Sequence, residues 1–249
     1  RYLQSSGQPL VKPEVLGLPR LSGQTERTLA HAADELFVAL TGADDELVRR
    51  IVLDLYLNGH RFAAICDEVI RPAFQRIGEE WECGHVEIYQ ERTACEMIQR
   101  ALFELRRDWA RITPHDPLAL GGTIVGDSYR IPTSLAELVL LEGGWRAESL
   151  GTNLPIDTLV AAIEQRRPRL FWLSLSYIAD PAALLAEFPR LTAAAKQWGT
   201  PIVVGGQALT PELRSSLRYT ACCDSMRQLD AFAEPWRAAS ARQSTETLG

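Results

Sequence analysis

Apolar residues in the first half of the chain recur at spacings of three and four, which is the pattern of amphipathic helices. Four such stretches follow one another between residues 25 and 110, separated by short breaks such as Gly42–Asp45 and Asn58–Gly59. Amphipathic helices joined by short connections pack most simply as an antiparallel bundle. This half is therefore predicted to be a four-helix bundle.

The pattern changes near residue 113, where short apolar runs begin to alternate with longer helical stretches. The runs are LALGGTIVG, RAESLG, RLFWLSLS, PIVVGG and YTACCD. Alternating β and α units predict a doubly wound, mainly parallel sheet with helices on both faces. The predicted fold class is thus α/β with an all-α cap: a four-helix bundle followed by a five-stranded sheet.

The carboxyl ends of the predicted strands are rich in glycine and hydroxyl residues. Ligands of doubly wound sheets bind outside these ends. Here the ends carry Ser174 and Ser176 after the third strand, Gly205 and Gly206 after the fourth, and Asp127 after the first. We expect glycines to let a flat ligand approach the backbone and hydroxyls to offer hydrogen bonds.

Composition and charge narrow the possible functions. The 249 residues carry a net charge of −6, which argues against direct binding of a nucleic-acid phosphate backbone by this chain. No apolar run approaches the ~20 residues of a membrane helix, and the N-terminus lacks the pattern of a signal peptide. The five cysteines form no CxxC pair, so we interpret them as reduced thiols rather than a zinc site. A cytoplasmic protein that does not bind membranes is predicted.

The bundle segment IGEEWECGHVEIYQER, followed by a doubly wound domain, resembles the cobalamin-binding regions of methionine synthase and of light-sensing MerR-type repressors. The likeness covers about residues 25–235 and includes the Ser174-x-Ser176 and Gly205-Gly206 elements. In that family these two elements hold the nucleotide tail of cobalamin. The opening GQPLVKPEVLGLP resembles the linker that follows a helix-turn-helix in bacterial regulators, which implies DNA binding through an upstream segment.

Two family histidines are replaced in this sequence. Tyr129 stands where the resemblance implies the histidine below the cobalt, and Pro132 where it implies a glycine. In the bundle the repressors carry Trp-x9-Glu-His, and here Trp81 and Glu91 are followed by Arg92. Neither a phenol nor a guanidinium readily replaces imidazole as a metal ligand. We therefore expect no protein metal ligand and no catalytic residue.

Two arginines, one at a replaced position and one beside another, suggest a second candidate ligand. Arg92 and Arg130 have the fork geometry to pair with the propionates of a linear tetrapyrrole such as biliverdin. Cys83 is a candidate for thioether attachment of a bilin, and His85 is a candidate polar contact at the pocket mouth. Biliverdin and cobalamin without histidine ligation stay open as alternatives at this point.

The sequence thus predicts a sensory domain of a transcriptional regulator, light-responsive and not an enzyme, that holds a tetrapyrrole between bundle and sheet domain. The alternatives are a corrinoid-carrying enzyme module and a ligand-free dimerisation domain; a homo-oligomer is compatible with all three. The predicted segments are a linker (1–24), the bundle cap (25–112), the cobalamin-binding-type domain (117–236) and a flexible tail (237–249).

Overall fold

A computed structural model describes residues 29–109 and 116–246. The predicted linker 1–24 and the last three residues of the predicted tail lie outside this range. The described residues divide into two compact units, with the boundary between Glu104 and Leu105. Within them, no helix combines the length and the apolar composition that a membrane span needs.

The first unit is helical throughout. Helices α1 (Leu29–Thr41) and α2 (Asp45–Leu57) form a hairpin, and the Asp44 carboxylate caps α2 by accepting a hydrogen bond from the Leu47 amide at 3.0 Å. The third long helix is composed of α3 (Phe62–Ile65), a π-helical turn (Cys66–Ile70) and α4 (Arg71–Glu82). Helix α5 runs over Ile88–Trp109. The predicted four helices are all present.

The π-helical turn has a local cause in the sequence. Pro72 lies inside the third long helix, where it removes one backbone donor and its ring crowds the carbonyl four residues earlier. The chain widens just before it, so that the Arg71 amide donates to Cys66 O, five residues back. The helix thereby passes the proline without ending.

The second unit is a five-stranded parallel sheet with the strand order β2-β1-β3-β4-β5. Its elements in chain order are β1 (Leu118–Thr123), α6 (Arg130–Glu142), β2 (Arg146–Ser149), α7 (Ile156–Arg166), β3 (Leu170–Ser174), α8 (Pro181–Trp198), β4 (Ile202–Gly205), α9 (Pro211–Ser216), β5 (Ala221–Cys222) and α10 (Met226–Glu246). The fold class predicted from the sequence is confirmed. The order reverses between β1 and β3, which is where ligands of such sheets bind.

Side chains from the two faces of the sheet anchor different helices. Leu120, Phe171 and Leu173 belong to a fully buried apolar cluster with residues of α7 and α8. On the alternate positions, Trp172 packs over Gly121, where an added Cβ would lie 2.1 Å from the indole. The indole nitrogen donates to the Thr133 hydroxyl on α6 at 3.0 Å. The sheet is thus covered on both faces and leaves its carboxyl edge for the site.

The C-terminal part of the described chain is helical. Residues 237–246 continue helix α10. Alanine and arginine make up five of these ten residues, and both are good helix formers. The flexible tail expected over residues 237–249 stays a prediction.

Candidate functional site

A fully buried carboxylate joins the loops that follow β1 and β3. Asp127 has no exposed surface, and its Oδ1 accepts a hydrogen bond from the Tyr129 amide at 3.0 Å. Its Oδ2 accepts from the amides of Ser176 at 2.7 Å and Tyr177 at 3.2 Å. Both carboxylate oxygens are therefore engaged by backbone donors. Asp127 organises the edge of the sheet and does not point a free carboxylate at a ligand.

The loop after β2 is tied to the same β1 loop. Asn153 adopts a left-handed backbone with φ of 59°, and its side-chain oxygen accepts from the Gly126 amide at 2.7 Å. The buried Thr123 hydroxyl donates to Asp127 O at 2.6 Å and accepts from the Asn153 amide at 2.9 Å. Three successive strand ends are thus fixed to one another before any ligand arrives, which lowers the ordering cost of binding.

The third and fourth strand ends are joined by backbone contacts. The Leu175 amide donates to Gly205 O at 2.7 Å. Ser174 is buried, whereas Ser176, Gly205 and Gly206 are partly exposed. An added Cβ would lie 2.7 Å from Cys223 O at Gly205 and 2.2 Å from Leu175 O at Gly206. The protein's own backbone already occupies these positions, so packing explains both glycines, although the sequence suggested ligand approach.

Exposed aromatic and apolar side chains lie on the loops of this edge. Tyr129 is 51% exposed, Tyr177 50% and Val125 56%. Arg130 is exposed as the first residue of α6. No histidine occurs between residues 116 and 249. The edge therefore offers hydroxyls, backbone groups and aromatic rings to a ligand, and no imidazole.

The bundle carries its candidate residues around the connection between α4 and α5. Trp81 is 49% exposed in the last turn of α4, and the exposed Cys83 directly follows this helix. His85 Nδ1 lies 2.8 Å from Glu80 Oε2, so its ring is held locally. Two neighbouring apolar side chains, Ile88 and Tyr89, are also exposed. Three large exposed apolar side chains, Trp81, Ile88 and Tyr89, thus lie at or beside this connection.

Glu91 and Arg92 interact with each other at the start of α5. Arg92 Nε lies 3.3 Å from Glu91 Oε2, and the arginine side chain is 75% exposed. The Cys95 thiol donates to Glu91 Oε1 at 3.3 Å. Burial, with the Glu91 charge second, raises the pKa of Cys95 to about 12. Cys95 is therefore a neutral thiol near pH 7, and Glu91 is already engaged on two sides.

Within residues 29–109 and 116–246, no group of three or more His, Cys, Asp and Glu side chains is arranged to hold a metal ion. The donor set at the sheet edge suits the amide-rich rim of a corrin ring, which hydrogen-bonds with neutral partners. Residues 116–249 include no histidine that could bind a metal ion.

Sequence reasoning placed the predicted residues in two groups, and the structure keeps them in two units. It missed Tyr177 and Thr123. Tyr177 follows directly on Ser176, and an exposed aromatic beside a strand end was a signal that could have identified it. The backbone contacts of Asp127 depend on how the loops fold, and no sequence spacing reveals them.

Comparison with known proteins identifies the relatives of this chain. Residues 32–106 match the family model described as B12 binding domain. The chain is 22% identical over 191 residues to Trimethylamine corrinoid protein 1 of Methanosarcina mazei, covering 75% of this chain and 86% of that protein. It is 30% identical over 200 residues to the HTH-type transcriptional repressor CarH of Myxococcus xanthus, covering 80% of this chain and 64% of the repressor.

A solved structure has the same fold. The monomethylamine corrinoid protein of Methanosarcina barkeri superimposes with a TM-score of 0.68 at 14% identity, covering 84% of this chain and 99% of that one. The resemblance to cobalamin-binding proteins is confirmed: residues 32–106 match the B12 binding domain, and the chain is similar both to corrinoid proteins and to transcriptional repressors.

Proposed function

We propose that this chain is the corrinoid-binding sensory module of a transcriptional regulator. The observation that carries the proposal is the combination, in one chain, of a bundle matching the B12 binding domain with a 2-1-3-4-5 sheet like that of a corrinoid protein. The regulatory role is supported by similarity to two repressors, CarH and the 26% identical CarA of Myxococcus xanthus, which the chain matches over 71% of the latter's length.

Different residues are proposed to make different contacts with the ligand. The carboxyl edge of the sheet, fixed by Asp127 and Asn153, presents hydroxyls and rings to one face of the macrocycle. In the bundle, the exposed ring of Trp81 is the proposed flat apolar contact for a macrocycle, and Glu91 is the proposed hydrogen-bond acceptor. When bound, a corrinoid contributes a cobalt ion and a macrocycle that absorbs visible light. The role of the protein residues is to bind it and to exclude water, without protein nitrogen ligation from residues 116–249.

One contact of Arg92 and the exposure of Arg130 favour a corrinoid over biliverdin. Arg92 would have to leave Glu91 to pair with a propionate, and the carboxylate of Glu91 would repel that propionate. Arg130 is exposed, so solvent screens its charge. Biliverdin has two propionates, whereas the side chains of a corrin ring are mostly neutral amides. A light-responsive corrinoid complex is therefore the form of the proposal that we carry forward.

The test is titration of the ligand-free chain with hydroxocobalamin, adenosylcobalamin and biliverdin, followed by gel filtration with detection at visible wavelengths. We expect a corrinoid to co-elute with the protein and biliverdin to elute separately. Illumination of the adenosylcobalamin complex should change its spectrum and its elution volume, which also reports the oligomeric state. Co-elution of biliverdin alone, or of neither ligand, would contradict the proposal.

A further inference from the structure

Two half-exposed tyrosines of the sheet edge are positioned by a single buried carboxylate. The amide of Tyr129 binds one oxygen of Asp127, and the amide of Tyr177 binds the other. The two tyrosines belong to loops that follow different strands, β1 and β3. These strands are hydrogen-bonded neighbours on either side of the point where the strand order reverses.

The two loops also touch each other directly. Gly126 has φ of 86°, and a Cβ added there would lie 2.8 Å from the Cβ of Ala179. The β1 loop is additionally bound to the β2 loop, because the Gly126 amide donates to Asn153 Oδ1. The backbones that carry the two exposed rings are therefore connected through Asp127.

Two exposed tyrosine rings at this edge are candidate ligand contacts, because a tyrosine combines a large apolar ring with a polar tip. The ring of a tyrosine packs well on a flat macrocycle, and its hydroxyl stays available to amide groups at the rim. No histidine occurs between residues 116 and 249.

We infer that Tyr129 and Tyr177 form a two-tyrosine platform that packs against one face of a bound corrinoid, and that Asp127 is its positioning residue. This inference rests on the proposed function. The platform would contribute affinity through contact of its rings with the macrocycle. It also assigns Tyr177 a binding role that neither the spacing of residues nor the family elements indicated.

The experiment measures the affinity of the full chain for hydroxocobalamin and for dicyanocobinamide, which lacks the nucleotide tail. Variants Tyr129→Leu and Tyr177→Leu each remove a planar ring while keeping an apolar side chain. We expect each to weaken binding of both ligands by about 3- to 10-fold, the scale of one aromatic packing contact. The control is Tyr219→Leu, because Tyr219 precedes β5 at the amino ends of the strands; its ring is partly buried and its hydroxyl donates to Arg214 O at 3.1 Å, so its folded state is verified first.

The role of Asp127 is tested through coupling. In Asp127→Asn an amide NH₂ faces backbone N–H donors, so one loop is released. The further loss caused by Tyr177→Leu should then shrink in the Asp127→Asn background, which a purely structural role of Asp127 would not produce. Circular dichroism and thermal unfolding without ligand verify that each variant is folded; if Asp127→Asn does not fold, the tyrosine variants alone decide.

The outcomes separate the two proposals. If the unaltered chain binds neither ligand, the proposed function and the platform are both wrong. If the unaltered chain binds but both tyrosine variants bind equally well, the platform is wrong and the proposed function stands. Loss of affinity in Tyr219→Leu equal to that in Tyr177→Leu would also overturn the platform.

Discussion

Individual glycines at the carboxyl edge are needed for different reasons. Gly206 combines φ of 128° with a carbonyl that already fills the Cβ position, whereas Gly151 has φ of 98° but open space around it. The first therefore carries both backbone strain and a steric clash upon substitution, and the second only strain. Comparing alanine substitutions at these two glycines therefore separates the effect of the close approach between the ends of β3 and β4 from the effect of backbone conformation.

We predict that Gly206→Ala lowers the free energy of unfolding by about 2–4 kcal/mol, and that Gly151→Ala lowers it by only about 1 kcal/mol. The extra loss reflects the contact with Leu175 O at 2.2 Å, which requires the strand end to move. Urea denaturation followed by circular dichroism measures both. Equal losses would show that the strand ends separate freely.

Trp81 is the residue of the bundle on which ligand binding is expected to depend most. Trp81→Ala should weaken corrinoid binding by about 2–4 kcal/mol if the indole packs flat on the macrocycle. Phe103→Ala is the matched control, since Phe103 is an exposed aromatic on the same unit, 65% exposed on α5. Isothermal titration with hydroxocobalamin gives both affinities. An unchanged affinity in Trp81→Ala removes this residue from the site.

Secondary-structure elements were predicted well because hydrophobic periodicity determines them. Four helices and five strands follow from apolar spacing, and the polar strand ends indicated the ligand edge. What periodicity could not supply is the passage of α4 through Pro72 and the contacts of Asp127 with Ser176 and Tyr177. The contacts of Asp127 depend on tertiary packing across 49 and 50 residues of sequence. The sequence thus indicated which elements carry the candidate site, but it did not identify all of the residues of that site.

A hydrogen bond between strand β3 and helix α6 gives a prediction at the scale of secondary-structure elements. Trp172 on β3 donates to Thr133 on α6, and both side chains are buried, at 2% and 0% exposure. Thr133→Val leaves a buried N–H without its acceptor and should lower the free energy of unfolding by about 1–3 kcal/mol. Thr192→Val is the control: its hydroxyl binds Arg218 O near solvent, and water replaces it. A loss in the control as large as in Thr133→Val would contradict this account.

At the scale of the whole molecule, the residues predicted to bind the ligand fall in both compact units. The bundle holds Trp81, Glu91 and Arg92, and the sheet edge holds Asp127 and Tyr129. A sensory function requires that ligand binding changes the equilibrium between states of the protein. A ligand that contacts both units stabilises both, whereas one bound to the sheet edge alone leaves the bundle as it was.

Hydrogen exchange of the full chain, with and without hydroxocobalamin, distinguishes these cases. At a ligand concentration 100-fold above Kd, binding stabilises the bound state by about 2.7 kcal/mol, which slows exchange wherever opening requires release of the ligand. We expect added protection in residues 81–92 of the bundle and in the loops around residues 124–129 and 174–177. Helix α10 should serve as an internal reference with little change. Protection confined to the sheet loops would show that the bundle takes no part in binding, and the proposed contact of Trp81 with the macrocycle would then be wrong.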